Sequence, residues 1–212
     1  MEPFIKEVLD EAEAEKDYGL VIAACNELGG LYRALSRYEE GIELYQKAIA
    51  YLEELGAQET EDYATTLINY ATTLNLSKQF DQALDCYKEA IRILKACGID
   101  EDYRIATLYN NMSLLYQELS DYESACECQE KALAIVSAKN DARIETAVTH
   151  TNLAASLLKL GKYQEAMKHL QAAFSIFEMD EQKDFHYSGA LSAMGEAQYL
   201  AGNLEASAAY YR

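Results

Sequence analysis

The chain has almost no proline: Pro3 is the single one in 212 residues. Proline removes a backbone donor and breaks helix interiors, so its near-absence suits a chain built almost wholly of helices and disfavours a long β-rich one. Positive charge is scarce as well. Eighteen Lys and Arg face 36 Asp and Glu, giving a formal charge of −18. A field of that sign repels a phosphate backbone, and no basic stripe interrupts it, so nucleic acid is not an expected partner. No stretch reaches the ~18 consecutive apolar residues that a membrane span requires. Residues 1–17 are rich in Glu and Asp and lack the basic start and apolar run of a secretory signal, which points to a cytoplasmic protein. The five cysteines, Cys25, Cys86, Cys97, Cys126 and Cys128, are odd in number, so a disulfide framework is a poor reading. Reduced thiols packed as small apolar side chains are expected instead.

Catalytic chemistry is equally thin. The three histidines, His150, His169 and His186, lie beside no serine or cysteine in a nucleophile motif, and there is no glycine-rich phosphate loop. No enzymatic activity and no cofactor are expected.

What the chain does have is self-similarity at a fixed spacing. Four stretches align in register: NELGGLYRALSRYEEGIELYQKAI from Asn26, INYATTLNLSKQFDQALDCYKEAI from Ile68, NNMSLLYQELSDYESACECQEKAL from Asn110 and TNLAASLLKLGKYQEAMKHLQAAF from Thr151. An incomplete fifth copy starts at Ser192, so successive starts are 42, 42, 41 and 41 residues apart. Each copy closes a short turn with Tyr38, Phe80, Tyr122, Tyr163 or Leu204. Small residues follow at Gly41, Ala83, Ala125, Ala166 and Ser207, and then at Ala48, Ala90, Ala132 and Ala173. A bulky side chain stands between them at Tyr45, Tyr87 or Leu170, replaced by Gln129 in the third copy. Earlier in each copy another small residue, Gly29, Ala71, Ser113, Ala154 or Gly195, precedes Tyr32, Leu74, Tyr116, Leu157 or Gln198 by three. Spacings of three, four and seven place these residues on one helical stripe, so each copy reads as two antiparallel helices with facing apolar sides. The first helices are expected at 17–34, 60–76, 101–118, 142–159 and 184–200. The second helices are expected at 38–55, 80–97, 122–138, 163–178 and 204–212. Residues 1–16 read as an N-terminal helix or cap, with Phe4, Ile5 and Val8 facing inward and Pro3 in its first turn. Five units follow, at 17–59, 60–100, 101–141, 142–183 and an incomplete 184–212.

These residues resemble the tetratricopeptide repeat family, whose signature joins Leu-Gly-x-x-Tyr to Ala-x-x-x-Phe or Tyr. Leu28, Gly29 and Tyr32 match the first half, and Ala83 with Tyr87 matches the second. The family's usual repeat is ~34 residues and ends in a proline that is missing here. The surplus equals about two helical turns at 3.6 residues each, so both helices are expected to be long. Kinesin light chain repeats and some bacterial peptide-sensing regulators share this longer spacing. The resemblance implies an all-α, right-handed superhelical solenoid. A HEAT or armadillo array has a comparable period, but paired small residues at fixed offsets argue against it.

In such an array the first helix of every repeat lines the inner wall, and polar residues recurring there form a ladder along one groove. Asn69, Asn111 and Asn152 are such a ladder; Glu27 and Ala193 replace them in the outer copies. An amide offers both a donor and an acceptor, as an extended peptide main chain requires. The resemblance implies that these three hold peptide backbones; the alternative is that they bind loops or water within the array. Neighbouring candidates are Asn26, Arg33, Thr65, Thr72, Asn75, Thr107, Asn110, Gln117 and Lys159, mostly neutral, without the set of groove Lys and Arg that grips acidic C-termini in some relatives. The acidic runs 59–62, 100–102 and 180–184 fall at helix starts, where negative charge offsets the helix dipole. Cys86, Cys128 and His169 occupy equivalent places in successive second helices, but helices roughly 8–10 Å apart do not bring ligands to the ~2.0–2.3 Å that zinc needs. No metal is expected.

A protein-binding scaffold that takes an extended peptide or partner segment into its groove is therefore expected. Two other readings stand beside it. One is the peptide-sensing part of a bacterial regulator, which needs an effector module not contained here. The other is self-association into a homodimer through the unfinished fifth repeat, because arrays normally end in a polar cap.

Overall fold

A computed structural model describes residues 1–99, 103–139, 143–179 and 185–211. Eleven helices, and no strand, are found among them. They form two units, Met1–Asp100 and Glu101–Arg212. The first holds α1 (Glu2–Glu15), α2 (Tyr18–Ala34), α3 (Tyr38–Glu54), α4 (Glu61–Leu76) and α5 (Phe80–Ala96). The second holds α6 (Tyr103–Glu118), α7 (Tyr122–Ser137), α8 (Arg143–Lys159), α9 (Tyr163–Phe177), α10 (Phe185–Leu200) and α11 (Leu204–Tyr210). Within each unit consecutive helices pack against one another as antiparallel pairs, α2 with α3 and α4 with α5, then α6 with α7, α8 with α9 and α10 with α11.

The turn inside each pair is built the same way five times. Ser36, Lys78, Ser120, Gly161 and Gly202 occupy one repeat position, and all five have positive φ, between 58° and 84°. The next residue's amide reaches back across the turn: Arg37 N to Tyr32 O (2.8 Å), Gln79 N to Leu74 O (2.9 Å), Asp121 N to Tyr116 O (2.8 Å), Lys162 N to Leu157 O (2.9 Å) and Asn203 N to Gln198 O (2.8 Å). This left-handed cap consumes carbonyls that the end of the first helix leaves unpaired and reverses the chain in two or three residues. Elsewhere side chains start the helices. Asp17 Oδ1 accepts from Leu20 N at 3.0 Å ahead of α2, and Thr60 Oγ1 from Tyr63 N at 3.3 Å ahead of α4. Each such cap is worth about 1 kcal/mol. Glu61 and Asp62 fall in the first turn of α4, as expected of the acidic run there; the runs at 100–102 and 180–184 lie outside the described residues.

The core follows the small-against-bulky pattern. Tyr45 and Tyr87 are wholly buried, as are Ala48, Ala71, Ala83 and Ala90 around them. In the second unit Leu170 packs with Leu153, Ala154, Leu157 and Ala166, and Phe177 with Ala147, Ala173 and Ala190. Burying a side chain of that size stabilises the fold by roughly 1.5–3 kcal/mol. The glycines of this stripe answer to steric need. A Cβ on Gly195 would stand 2.6 Å from the Tyr211 ring, so the fifth copy can seat a tyrosine at the position Tyr45 holds in the first.

Two expectations are corrected. Phe4 does not face inward: it is 68% exposed, and α1 instead buries Leu9 and Ala12 against Val21, Ala24 and Cys25, with Ile5 and Val8 packed at the margin. The reason is angular. Residues 5, 8, 9 and 12 share one helical face, from which position 4 turns away. Glu2, by contrast, ties α1 down, accepting from the Tyr32 hydroxyl (3.0 Å) and pairing with Lys6 and Arg37. Those three partners hold its carboxyl at about 2, well below the ordinary range. Nor are all the thiols packed inside. Cys25, Cys126 and Cys128 are buried and Cys86 half-buried, but Cys97, the C-cap of α5, is exposed.

A first-helix face stapled by amides and hydroxyls

Within each unit one pair of first helices is joined by a polar bond of the same design. In the first unit Asn26 Nδ2 of α2 donates to Thr66 Oγ1 of α4 at 3.1 Å, and Thr66 in turn donates to the Asp62 carbonyl four residues back. In the second unit Asn110 of α6 donates to Thr149 Oγ1 of α8 at 3.2 Å, and Thr149 donates to the Glu145 carbonyl. Asn26 and Asn110 are repeat equivalents, as are Thr66 and Thr149. In the intervening copies these positions are Ile68 and Leu108.

Gln129, which stands where the other second helices carry a bulky Tyr or Leu, belongs to a similar chain. Gln117 Nε2 donates to Ser156 Oγ at 2.7 Å, and Ser156 donates to Gln129 Oε1 at 3.0 Å. Gln129 is fully buried, so the polar residue at a core position has an acceptor role there, although its Nε2 has no partner.

The candidate binding residues divide accordingly. Asn26, Asn110 and Gln117 are committed to these bonds. Asn69 is loosely engaged: its Nδ2 reaches Asn26 Oδ1 at 3.4 Å, while Arg33 Nη1 approaches its carbonyl and Oδ1 at 3.4 and 3.5 Å. Asn111 and Asn152, both half-buried, make no side-chain hydrogen bond among the described residues, and Asn75 enters only through its carbonyl. Thr65 and Thr107 are exposed, and Thr107 bonds the Tyr103 carbonyl. Thr72 lies half-buried with its hydroxyl 3.1 Å from that of Tyr87. Lys159 is exposed and pairs with Glu196 at 3.4 Å.

In the first unit Asn26, Arg33 and Asn69 border one cleft of about 330 Å³, walled by α1, α2 and α4 and floored by Tyr45 of α3. The histidines hold a contact that reading along the chain missed. His150 Nδ1 of α8 lies 2.9 Å from His169 Nδ1 of α9. Burial pushes both imidazoles below their ordinary value; at His150 the other ring adds to the effect, and at His169 the carboxylates of Glu130 and Glu165 oppose it. The repeat register holds the only clue, since positions 150 and 169 correspond to Cys25 and Leu44 in the first copy. Burial likewise pushes the Cys25 and Cys86 thiols up to about 11, leaving them protonated and inert at neutral pH.

The tetratricopeptide repeat family model matches residues 20–96 and 104–179. The chain belongs to the tetratricopeptide repeat family. Such repeats are generally non-catalytic modules of protein–protein interaction. Solved structures agree on the fold. BtubC (BKLC) from P. vanneervenii is 20% identical with a TM-score of 0.81, covering 99% of this chain and 86% of that one. A Podosopora anserina putative kinesin light chain with nearly identical TPR-like repeats is 16% identical with a TM-score of 0.78, covering 90% and 91%. The apo quorum sensor NprR from B. thuringiensis is 19% identical with a TM-score of 0.71, covering 97% of this tetratricopeptide chain but 56% of NprR. No curated protein matches. No described helix is long and apolar enough to cross a membrane.

Proposed function

We propose that this tetratricopeptide chain is a scaffold that takes an extended segment of a partner protein along the face of its first helices. The supporting observation is the half-buried amides of Asn111 and Asn152, which have no hydrogen-bond partner among the described residues although neighbouring amides are stapled helix to helix. An amide that the fold does not use gains little from partial burial and is suited to a peptide's donor and acceptor in turn. Asn69, whose side chain makes only contacts of 3.4 Å or longer, is the repeat equivalent of Asn111 in the first unit. The neutral character of Thr65, Thr72, Asn75 and Thr107 suits main-chain recognition more than charge matching.

The experiment is affinity capture from native lysate with the chain and with a variant carrying Asn69→Ala, Asn111→Ala and Asn152→Ala, each verified as folded by its melting curve. Loss of captured partners in the triple variant is the expected result. An unchanged set of partners removes this face from the reading.

A further inference from the structure

The side of α1 that meets α3 is a ladder of charges. Glu2, Lys6, Asp10 and Glu13 are spaced by four, four and three residues, so they share one side of α1, and Arg37, Glu40, Glu43 and Lys47 share one side of α3 and its N-cap. Opposite charges meet at both ends. Arg37 Nη1 lies 3.1 Å from Glu2 Oε2, and Lys47 is paired with Glu13. Arg37, and to a lesser degree Lys6, hold the Glu40 carboxyl below its ordinary range, so the second rung is attractive as well. The third rung is not. Asp10 and Glu43 are both acidic and both exposed, and neither has an ion-pair or hydrogen-bond partner among the described residues.

That rung borders a cleft of about 390 Å³. The floor is apolar, with Leu9 and Leu28 buried and Leu44 half-buried. Tyr32 stands beside them, but its ring is already taken: Arg37 Cζ lies 4.0 Å and Lys6 Nζ 5.7 Å from the centroid. None of the residues lining this cleft lines the one at Asn26, Arg33 and Asn69. A charge ladder short of one cation, above an apolar floor, is complementary to a side chain that is apolar along its stem and positive at its tip. Lysine is that side chain. A metal ion gains nothing from the floor, and a guanidinium, which favours stacking on an aromatic face, finds the Tyr32 ring occupied. The formal charge of −18 draws a basic partner in before contact is made.

We propose that this cleft seats a lysine side chain of a partner protein, its methylene stem on Leu9, Leu28 and Leu44 and its ammonium between Asp10 and Glu43. The partner's lysine completes the third rung from outside, as Lys47 completes the fourth from within. The proposal rests on the scaffold reading only in taking the ligand to be a protein, and it uses none of the residues of the first-helix face. A partner lying on that face thereby gains a second point of attachment, and linking two weak contacts raises the affinity of the whole.

The probe is acetyl-Ala-Lys-Ala-amide, and the same peptide acetylated at Nζ is the uncharged control. Each is titrated at millimolar concentration into the full chain while the Leu9, Leu28 and Leu44 methyl resonances are followed. The lysine peptide is expected to shift those methyls and to bind roughly fivefold more tightly than the control, the gain that two partly exposed ion pairs give. Asp10→Asn with Glu43→Gln is expected to bring the two peptides level with the melting curve unchanged. Glu118→Gln with Glu127→Gln, which removes two exposed carboxylates of the second unit, is expected to keep the difference. Asp10→Lys places a cation on the third rung from within, and is expected to raise the urea midpoint and abolish the shifts. Equal binding of the two peptides, equal loss in the two double variants, which would mark attraction to acidic surface in general, or undiminished binding by Asp10→Lys overturns the proposal. None of these outcomes bears on affinity capture with the asparagine variant, so failure of this site and failure of the scaffold reading are distinguishable.

Discussion

The Tyr45 ring lies over Gly29 so closely that a Cβ on residue 29 would stand 2.8 Å from its Cζ. Van der Waals contact between carbons requires about 3.5 Å or more, so here glycine is a steric requirement and its helix-weakening effect is outweighed. Gly29→Ala is expected to destabilise the chain by about 1–3 kcal/mol by overpacking. The fourth copy shows the compensating choice, Leu170 opposite Ala154, both wholly buried. Tyr45→Leu should therefore recover part of the loss when combined with Gly29→Ala. Urea unfolding of the two single variants and the double one measures the coupling, and strict additivity would show that the two residues do not interact.

The turns inside the repeats make a second prediction. Lys78 and Ser120 adopt φ of 64° and 60°, where the fourth and fifth copies carry glycine. Left-handed backbone costs a residue with a Cβ roughly 1–2 kcal/mol, partly offset by the greater freedom that glycine loses on folding. Lys78→Gly and Ser120→Gly should each raise stability by up to about 1 kcal/mol, and Gly161→Ala should lower it by a similar amount. Chemical denaturation checks all three, and a destabilised Lys78→Gly would contradict the turn geometry.

The staple between α6 and α8 is open to the same comparison of copies. Thr149→Val removes the acceptor of Asn110 Nδ2, whose Oδ1 is already buried without a partner, and should cost about 1–2 kcal/mol. Replacing both partners by apolar residues should be nearly neutral, because Ile68 and Leu108 already stand at those positions in other copies. A double variant, Asn110→Ile with Thr149→Leu, that remains as unstable as Thr149→Val alone would argue against the pair as a separable unit.

The contrast between copies also explains what was legible in the sequence. The helices were readable because small and bulky residues recur at offsets set by helix–helix approach, which a single chain repeated five times prints five times over. The left-handed turn residues were hidden, since Ser36, Lys78 and Ser120 carry no glycine to mark them. The facing of Phe4 is not legible, because a single short helix without a second copy offers only a few apolar residues to define its buried side. Among the candidate binding residues, amide identity alone does not distinguish Asn110, spent on Thr149, from Asn111, which is not. That distinction depends on which side chains of the next helix come within hydrogen-bond reach, a relation of the folded chain that residue identity does not encode.

The histidine pair gives the stability a dependence on pH that carboxylates do not share. Burial holds both imidazoles below their ordinary value, so between pH 7.5 and 5.5 the unfolded chain binds more protons than the folded one. A depressed base contributes stability that is complete above the ordinary histidine value of about 6.5 and is lost as pH falls through the folded values. The groups facing the pair are Glu130 from α7 and Glu165 from α9, which act on His169 in the opposite sense and limit the loss without reversing it. The urea midpoint should therefore decline over this range. The fifth copy carries Leu191 and Tyr210 at the corresponding positions. The double variant His150→Leu with His169→Tyr should flatten the decline. A midpoint that falls equally in the double variant and in the unmodified chain would place the titrating groups elsewhere.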